Sequence, residues 1–413
     1  MWEAIRANQR RAAVLVVVMA ALLFAIGYAL GELFEPGAGP VGLGVAFVIW
    51  VAMTLVAYAA GDQVFLSLAG ARKIAKADHP VLYNVVEEMA IAASLPRVPD
   101  VYIIDDQAPN AFATGRSPTT ASVAVTAGLL ETMSRDELQG VIAHELGHVT
   151  NRDVLYMLFV GIMMGTIVML ADVGIRVMFY GGGGRRRTSR SSGGGQGQAI
   201  VMIVALLLVV LAPVLAQLIY LALSRRREYL ADACSALTTR NPGGLASALE
   251  KLQRSTAKLA AANRATAPMY IVNPLAVSEH GLADLTSTHP PISQRIKILR
   301  AMAGEVGLAG YDEAFRTVTG RPVGVVPFSA LRSGAAVAAV APASPGVLAT
   351  RGERVRAATD ALWRLNGYVF VPCACGTGLK FPSAYAGRQI ACPHCGTVHT
   401  VRPPGQDPVN EHR

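Results

Sequence analysis

The chain has 413 residues, of which 52% are hydrophobic and only 16% charged, and it carries a net charge of +9 at pH 7. So little charge on so apolar a chain excludes an assembly of ordinary soluble domains and points to membrane-embedded helices. The positive residues gather at the ends of apolar runs, Arg6, Arg10 and Arg11 before the first and Arg225 to Arg227 after the last, which argues for anchoring at a membrane surface and against nucleic-acid binding.

Four apolar segments divide the chain. Residues 12–31 (AAVLVVVMAALLFAIGYALG) are uncharged and long enough to cross ~30 Å of hydrocarbon. A cleaved signal peptide would have a shorter apolar run and a small-residue cleavage site, so a true anchor is expected. The second segment is 37–61, closed by Asp62. Arginines precede the first segment and Arg72, Lys73 and Lys76 follow the second, while the connection around Glu32 and Glu35 has no basic residue. By the positive-inside rule, the N-terminus and residues 62–153 face the cytoplasm. The third and fourth segments are 154–171, closed by Asp172, and 199–223, with Pro213 inside, a residue that membrane helices tolerate. Their connection, 181–198, reads as a flexible Gly/Ser linker. It holds four arginines, against the charge rule, so whether these two segments cross fully stays open. In both cases 62–153 and 224 onward end on one side. GxxxG spacings at Gly27/Gly31 and Gly161/Gly165 match helix-packing faces, but such spacings are common by chance in Gly-rich apolar helices.

Between the second and third segments the sequence becomes soluble in character. Residues 79–95 have helical apolar spacing, DVYIIDD (100–106) reads as a strand, and NAFATG (110–115) and ASVAVTAGLL (121–130) flank a turn-like RSPTT, as in a hairpin. Ser134 with Glu137 makes a capping-box pattern, and Met133 with Leu138 a hydrophobic staple. A helix is therefore predicted from near Ser134 through VIAHELGHVTNRDV (141–154). On it His144 and His148 are four positions apart and share a face, so both imidazoles can reach one zinc ion at ~2.0–2.1 Å. Glu145, one residue round, is placed to take a proton from a water whose acidity the metal has raised. A bare H-E-x-x-H match also arises on an amphipathic helix with two surface histidines. A catalytic zinc needs a third protein ligand, and SRRREYLADACSAL (224–237) supplies Glu228, with Asp232 four residues on. Asp232 is placed to accept the spare N–H of a ligand histidine. The plain alternative for these acids is pairing with Arg225 to Arg227 at a membrane surface.

The segments NAFATG, HELGHVTNRD, EYLAD and STHPPISQRI, in this order around four apolar runs, resemble the HtpX-type membrane zinc metallopeptidases, relatives of the CAAX prenyl endopeptidases. The likeness covers residues 1 to about 300. It implies that His144, His148 and Glu228 bind the catalytic zinc and that Glu145 is the catalytic base. It implies cleavage of membrane or misfolded proteins at the cytoplasmic face of the cell membrane, the inner membrane in bacteria, as protein quality control. Expected partners are protein or peptide substrates and the lipid bilayer. It further makes Asn110, Ala111, Phe112 and Ala113 the edge along which an extended substrate would pair. His289, with Arg295, becomes a candidate to polarise the developing oxyanion. Asp153 joins Asp232 as a carboxylate behind the ligands. An ordinary hairpin strand, a turn histidine and a water-boundary aspartate are the plain alternatives for these positions.

Beyond residue 300 the likeness fades. Residues 330–350 are rich in Ala, Pro and Gly and read as a linker. Cys373, Cys375, Cys392 and Cys395 then form C-x-C-x16-C-x-x-C in Gly-bounded turns, which suits a closed structural zinc site. His394 and His399 are alternative ligands, and Cys234 reads as a packed small residue. The expected fold is a multi-pass α-helical membrane protein with a mainly α, α+β zincin-type metalloprotease domain and a small C-terminal zinc ribbon. Its expected parts are transmembrane helices in 1–61, the protease domain in 62–302, a linker in 303–365, the ribbon in 366–402 and a disordered tail in 403–413. Two other functions fit the sequence less well. An intramembrane site-two-type protease would carry the motif inside a membrane helix, but SRDELQGV before it is polar and no LDG motif occurs. A catalytically silent scaffold acting through the ribbon would not need the catalytic residue types, all of which are present.

Overall fold

A computed structural model describes residues 2–180, 195–260, 269–272, 289–302, 305–326, 331, 337–338 and 350–401. Most of the 181–198 linker, of the 330–350 stretch and the whole 403–413 tail lie outside the described residues. The first two apolar segments form helices α1 (Trp2–Phe34) and α2 (Gly39–Leu68). Both contain stretches long and apolar enough to cross a membrane, Val16–Phe34 and Gly39–Leu68. The third segment lies in α6 (Asp153–Tyr180) and the fourth in α7 (Gly195–Thr239). Met19, Leu23 and Ile26 of α1 are buried with Met163 and Ile167 of α6 and Ala212 and Ala216 of α7, so these helices share one apolar core. Gly27 and Gly42 let α1 and α2 meet closely: a Cβ added at Gly42 would lie 2.1 Å from the carbonyl oxygen of Gly27.

A four-stranded sheet follows α2. It comprises β1 (Ala71–Lys73), β2 (Asp100–Ile104), β3 (Ala111–Thr114) and β4 (Ser122–Thr126), in the order β1-β2-β4-β3. β2 and β4 are parallel, and β3 is an antiparallel edge strand paired Ala111 to Val125 and Thr114 to Ser122. Alternation along the strands splits the side chains into two layers. Val101, Ile103, Ala111, Ala113, Val123 and Val125 enter the main helical core. Tyr102, Ile104, Phe112 and Ala124 face the end of α2 at Leu66 and Ala69.

The main core is helical. It gathers α3 (Pro80–Ala92), α4 (Ala127–Thr132), α5 (Arg135–Thr150), the last turns of α7, α8 (Pro242–Arg254) and α9 (Ile292–Ala301). The capping box forms: Ser134 Oγ accepts from Glu137 N, and Glu137 Oε2 accepts from Ser134 N at 2.7 Å. Within the stretch read as linker, α10 (Leu308–Thr319) and α11 (Arg351–Leu365) are helices, and Ala358 and Ala361 of α11 are buried in the main core. Composition missed them because α11 has an alanine-poor, charged outer face and buries only a narrow stripe.

Candidate metal centre

α5 carries the motif, and its neighbours fix where the motif points. At Gly140 a Cβ would lie 2.6 Å from Leu245 N, and at Gly147 it would lie 3.1 Å from Cys234 Cβ. These two glycines let α5 lie close against α8 and α7. On α7 the facing residues are small, Ala231, Cys234 and Ser235, all buried. Ser235 Oγ also donates to Gly140 O at 2.8 Å, and Asn151 Nδ2 to Cys234 Sγ at 3.5 Å. The close approach brings Glu228, one to two turns earlier on α7, over the two histidines.

His144 and His148 present their Nε2 atoms to the same carboxylate. His144 Nε2 lies 3.5 Å from Glu228 Oε2, and His148 Nε2 lies 3.5 Å from Glu228 Oε1. Ligands at ~2.0–2.1 Å in a tetrahedron stand about 3.4 Å apart, so the spacing matches a shared metal. The far side of each ring is held. His144 Nδ1 is 3.0 Å from Asp232 Oδ1, and His148 Nδ1 is 3.5 Å from Asp153 Oδ2. These contacts favour the Nδ1–H tautomer and leave both Nε2 lone pairs free for a ligand role. Glu228 Oε2 is buried and accepts no hydrogen bond, which an ion at this point would remedy. The donor set, two imidazoles and one carboxylate, suits zinc.

Charge is concentrated here. Arg295 is wholly buried and grips Asp232 through Nε at 2.9 Å and Nη2 at 2.7 Å. Its Nη1 lies 3.4 Å from Glu228 Oε2. Burial alone would raise the Glu228 carboxyl, but His289, His144 and His148 hold it well below the usual carboxylate range. For His148 burial pulls downward, and the carboxylates of Asp153, Glu228 and Glu145 outweigh it, lifting the imidazole to about 10. His144 is raised for the same reason, against burial, by Asp232 and Glu228. Burial raises Glu145, partly offset by the two histidines and by a backbone hydrogen bond from Ala113. Its Oε1 is buried without a hydrogen-bond partner.

The structure places the other sequence candidates as follows. His289 is buried with Nε2 3.9 Å from Glu228 Oε1, so it joins the cluster. Ala113 lines a small cavity with Glu145, His148 and Glu228. Asn110, Ala111 and Phe112 are buried on the same strand, and the Asn110 amide is engaged with Val272. Sequence reasoning missed Met269, Tyr270 and Ile271, which line that cavity too. Apart from the Tyr270 phenol they carry no ionisable group, and no motif marks them. Sharing no residue with this centre, the four cysteines form a second cluster with one ligand atom each within 4.8 Å of the others. It is built on two hairpins, β5 (Tyr368–Pro372) with β6 (Gly378–Pro382) and β7 (Gln389–Ala391) with β8 (Val398–Thr400). Cys373 Sγ and Cys395 Sγ are 3.4 Å apart, and Cys375 Sγ and Cys392 Sγ 3.8 Å apart. A zinc tetrahedron with ~2.3 Å bonds has an edge of about 3.8 Å. His394 and His399 do not belong to this cluster.

The model of Peptidase family M48 matches residues 76–303, more than half of the chain. A Protease HtpX homolog of Dictyoglomus thermophilum is 44% identical over 301 residues, 73% of this chain and 94% of that protein. One from Thermoanaerobacter pseudethanolicus is 42% identical, covering 71% and 95%. One from Streptococcus gordonii is 41% identical, covering 73% and 100%. The crystal structure of S. mikatae Ste24p matches at 17% identity with a TM-score of 0.41, covering 72% of this chain and 67% of that one. With the motif, its third acidic partner and near-complete coverage of these relatives in one chain, this protein belongs to peptidase family M48 and is a metalloprotease of the HtpX type.

Proposed function

We propose that the chain is a multi-pass membrane zinc endopeptidase that cleaves membrane or misfolded proteins at the cytoplasmic face, as protein quality control. The observation that carries the chemistry is the convergence of His144 Nε2, His148 Nε2 and the buried Glu228 carboxylate beside Glu145. In this reading His144, His148 and Glu228 hold one catalytic zinc, which when bound polarises the scissile carbonyl and acidifies water. Glu145 takes the proton from that water and returns it to the leaving amine. Asp232 and Asp153 fix the ring orientations, and Arg295 fixes Asp232. His289 and Arg295 donate toward the oxygen that gains charge as the carbonyl is attacked. Substrate lies along β3, where backbone pairing is indifferent to most side chains. The bilayer and the excess of arginine and lysine around residues 1–11 and 72–76 support a cytoplasmic site, in the inner membrane of a bacterium. A second, structural zinc sits on Cys373, Cys375, Cys392 and Cys395, making 366–402 a ribbon beside the protease domain.

The test is metal analysis with a protease assay on purified, zinc-loaded protein. Wild type is expected to hold two zinc ions and to cleave casein. Glu145→Gln is expected to keep both ions and lose about 100-fold or more in rate, the usual weight of a general base. Undiminished cleavage by a zinc-replete Glu145→Gln sample would overturn the reading.

A further inference from the structure

The edge strand β3 is not bare. Pairing with β4 uses the backbone groups of alternate residues, as in Thr126 N donating to Asn110 O, so those of Ala111 and Ala113 point outward. Both outward groups of Ala111 are already engaged. Ala111 N donates to Asn110 Oδ1 at 3.1 Å. Ala111 O accepts from Ile271 N at 3.0 Å. The Ala113 backbone faces the Glu145 carboxylate and favours its charged form.

The segment 269–272 is thus added to the edge like a further strand, and it is clamped there. Asn110 Nδ2 donates to Val272 O at 2.9 Å, and Val272 N donates back to Asn110 Oδ1 at 3.4 Å. Arg295 Nη1 donates to Ile271 O at 3.2 Å. Tyr270 is 1% exposed and meets Phe112 edge-on, ring centres 5.2 Å apart. Leu66, Tyr102, Phe112 and Leu259 pack around the ring, and burial together with the nearby Asp106 carboxylate pushes its hydroxyl up to about 12. Its hydroxyl finds no hydrogen-bond partner among the described residues. A phenylalanine ring would keep the same apolar contacts and bring no hydroxyl to be satisfied beside them. The same segment lines the cavity beside Glu145, His148 and Glu228.

We propose that Met269–Val272 is a resident strand in the place where substrate pairs with β3, and that an extended peptide replaces it, setting a phenylalanine-like side chain in the Tyr270 pocket. This rests on the endopeptidase reading above. The segment restrains the enzyme until a chain able to fill the pocket arrives, and it confers a preference for an aromatic residue near the cleavage point. Asn110 and Arg295 exchange their contacts from the resident strand to the incoming one.

Two measurements on the zinc-loaded full chain in detergent test this. The first compares a quenched fluorescent peptide with a central Phe and its Ala counterpart on wild type, Ile271→Pro and Tyr270→Ala. Proline deletes the Ile271 N–H, and losing one net hydrogen bond predicts about a 2- to 12-fold rise in kcat/KM. The Phe peptide should be preferred throughout. Wild-type cleavage that depends on Glu145, with neither variant faster, or no preference for Phe, overturns the proposal and leaves the endopeptidase reading standing. No cleavage by zinc-loaded wild type or by either variant overturns the endopeptidase reading itself. The second measurement needs no altered segment: amide exchange of residues 270–272 in Glu145→Gln with and without saturating Phe peptide. Faster exchange with peptide bound is expected, and unchanged protection would show a fixed wall and sink the idea.

Discussion

Asp232 offers the sharpest test of how the centre is held. It is fully buried and receives two hydrogen bonds from Arg295 at 2.7 and 2.9 Å, with His144 Nδ1 at 3.0 Å. Asp232→Ala leaves a guanidinium that is 0% exposed without its main counter-charge. Removing one partner of a buried pair costs about 3–5 kcal/mol. For a domain of this size that corresponds to a fall in Tm of about 6–20 °C. The same change frees the Nδ1 side of His144, and loss of such a partner weakens metal affinity about 10- to 100-fold. Stability is read by thermal unfolding of the zinc-free protein in detergent, and affinity by competition with a zinc chelator. The double variant Asp232→Leu/Arg295→Met separates the two effects. It buries no lone charge, so its Tm should recover most of the loss, while zinc binding stays weak because His144 still lacks its acceptor. If Asp232→Ala melts within a degree or two of wild type, or if the double variant binds zinc normally, the account of Asp232 as the brace of both Arg295 and His144 is wrong.

Other expectations are simpler to state. Zinc affinity should rise with pH through the neutral range and beyond: both candidate-ligand imidazoles are raised, His148 to about 10, so zinc must compete with protons for them. Calorimetry in buffers of different ionisation enthalpy should register proton release, and zinc uptake without release would contradict it. Gly140→Val should separate α5 from α8, since even a Cβ meets Leu245 N at 2.6 Å; we expect loss of catalytic zinc with the cysteine-bound ion retained, measured by metal content. Cys392→Ser should remove the ribbon's ion and make residues 366–401 sensitive to trypsin, with peptide cleavage rates unchanged, because the cysteine cluster shares no residue with the catalytic group.

Much of the centre was legible because its chemistry is written in local spacing. His144, Glu145 and His148 are fixed by one helix whose start is marked by Ser134 and Glu137. Glu228 and Asp232 were legible only as an acidic pair on a helix, and nothing local says which histidine each would meet. That information lies in Gly140, Gly147 and the small residues 231–236, which control how closely the helices approach; their meaning emerges only when the partners are in place. Segment 269–272 was illegible for a different reason. Its role rests on backbone donors and acceptors, which every residue but proline possesses, so Met-Tyr-Ile-Val leaves no signature. The α10 and α11 helices were hidden by composition, since short amphipathic helices among Ala, Gly and Pro look like linker until the buried stripe is seen.

The length of α7 links the two halves of the molecule. It runs unbroken from Gly195 to Thr239, through Pro213. Its apolar half is seated on α1 and α6 through Ala212 and Ala216, and Glu228 and Asp232 stand on the same rod. A helix rises ~1.5 Å per residue, so Glu228 is set about 18–24 Å along the axis from those two alanines. The third candidate ligand is therefore positioned by packing in the apolar bundle as well as by its neighbours on α5. That is a physical reason for this zincin-type site to lie where the apolar segments begin: two candidate ligands come from α5, and the third is carried in on the shaft of an apolar helix. A bulky residue at Ala216, 0% exposed, would tilt the shaft and should loosen the catalytic zinc from that distance, with the cysteine-bound ion as an internal control.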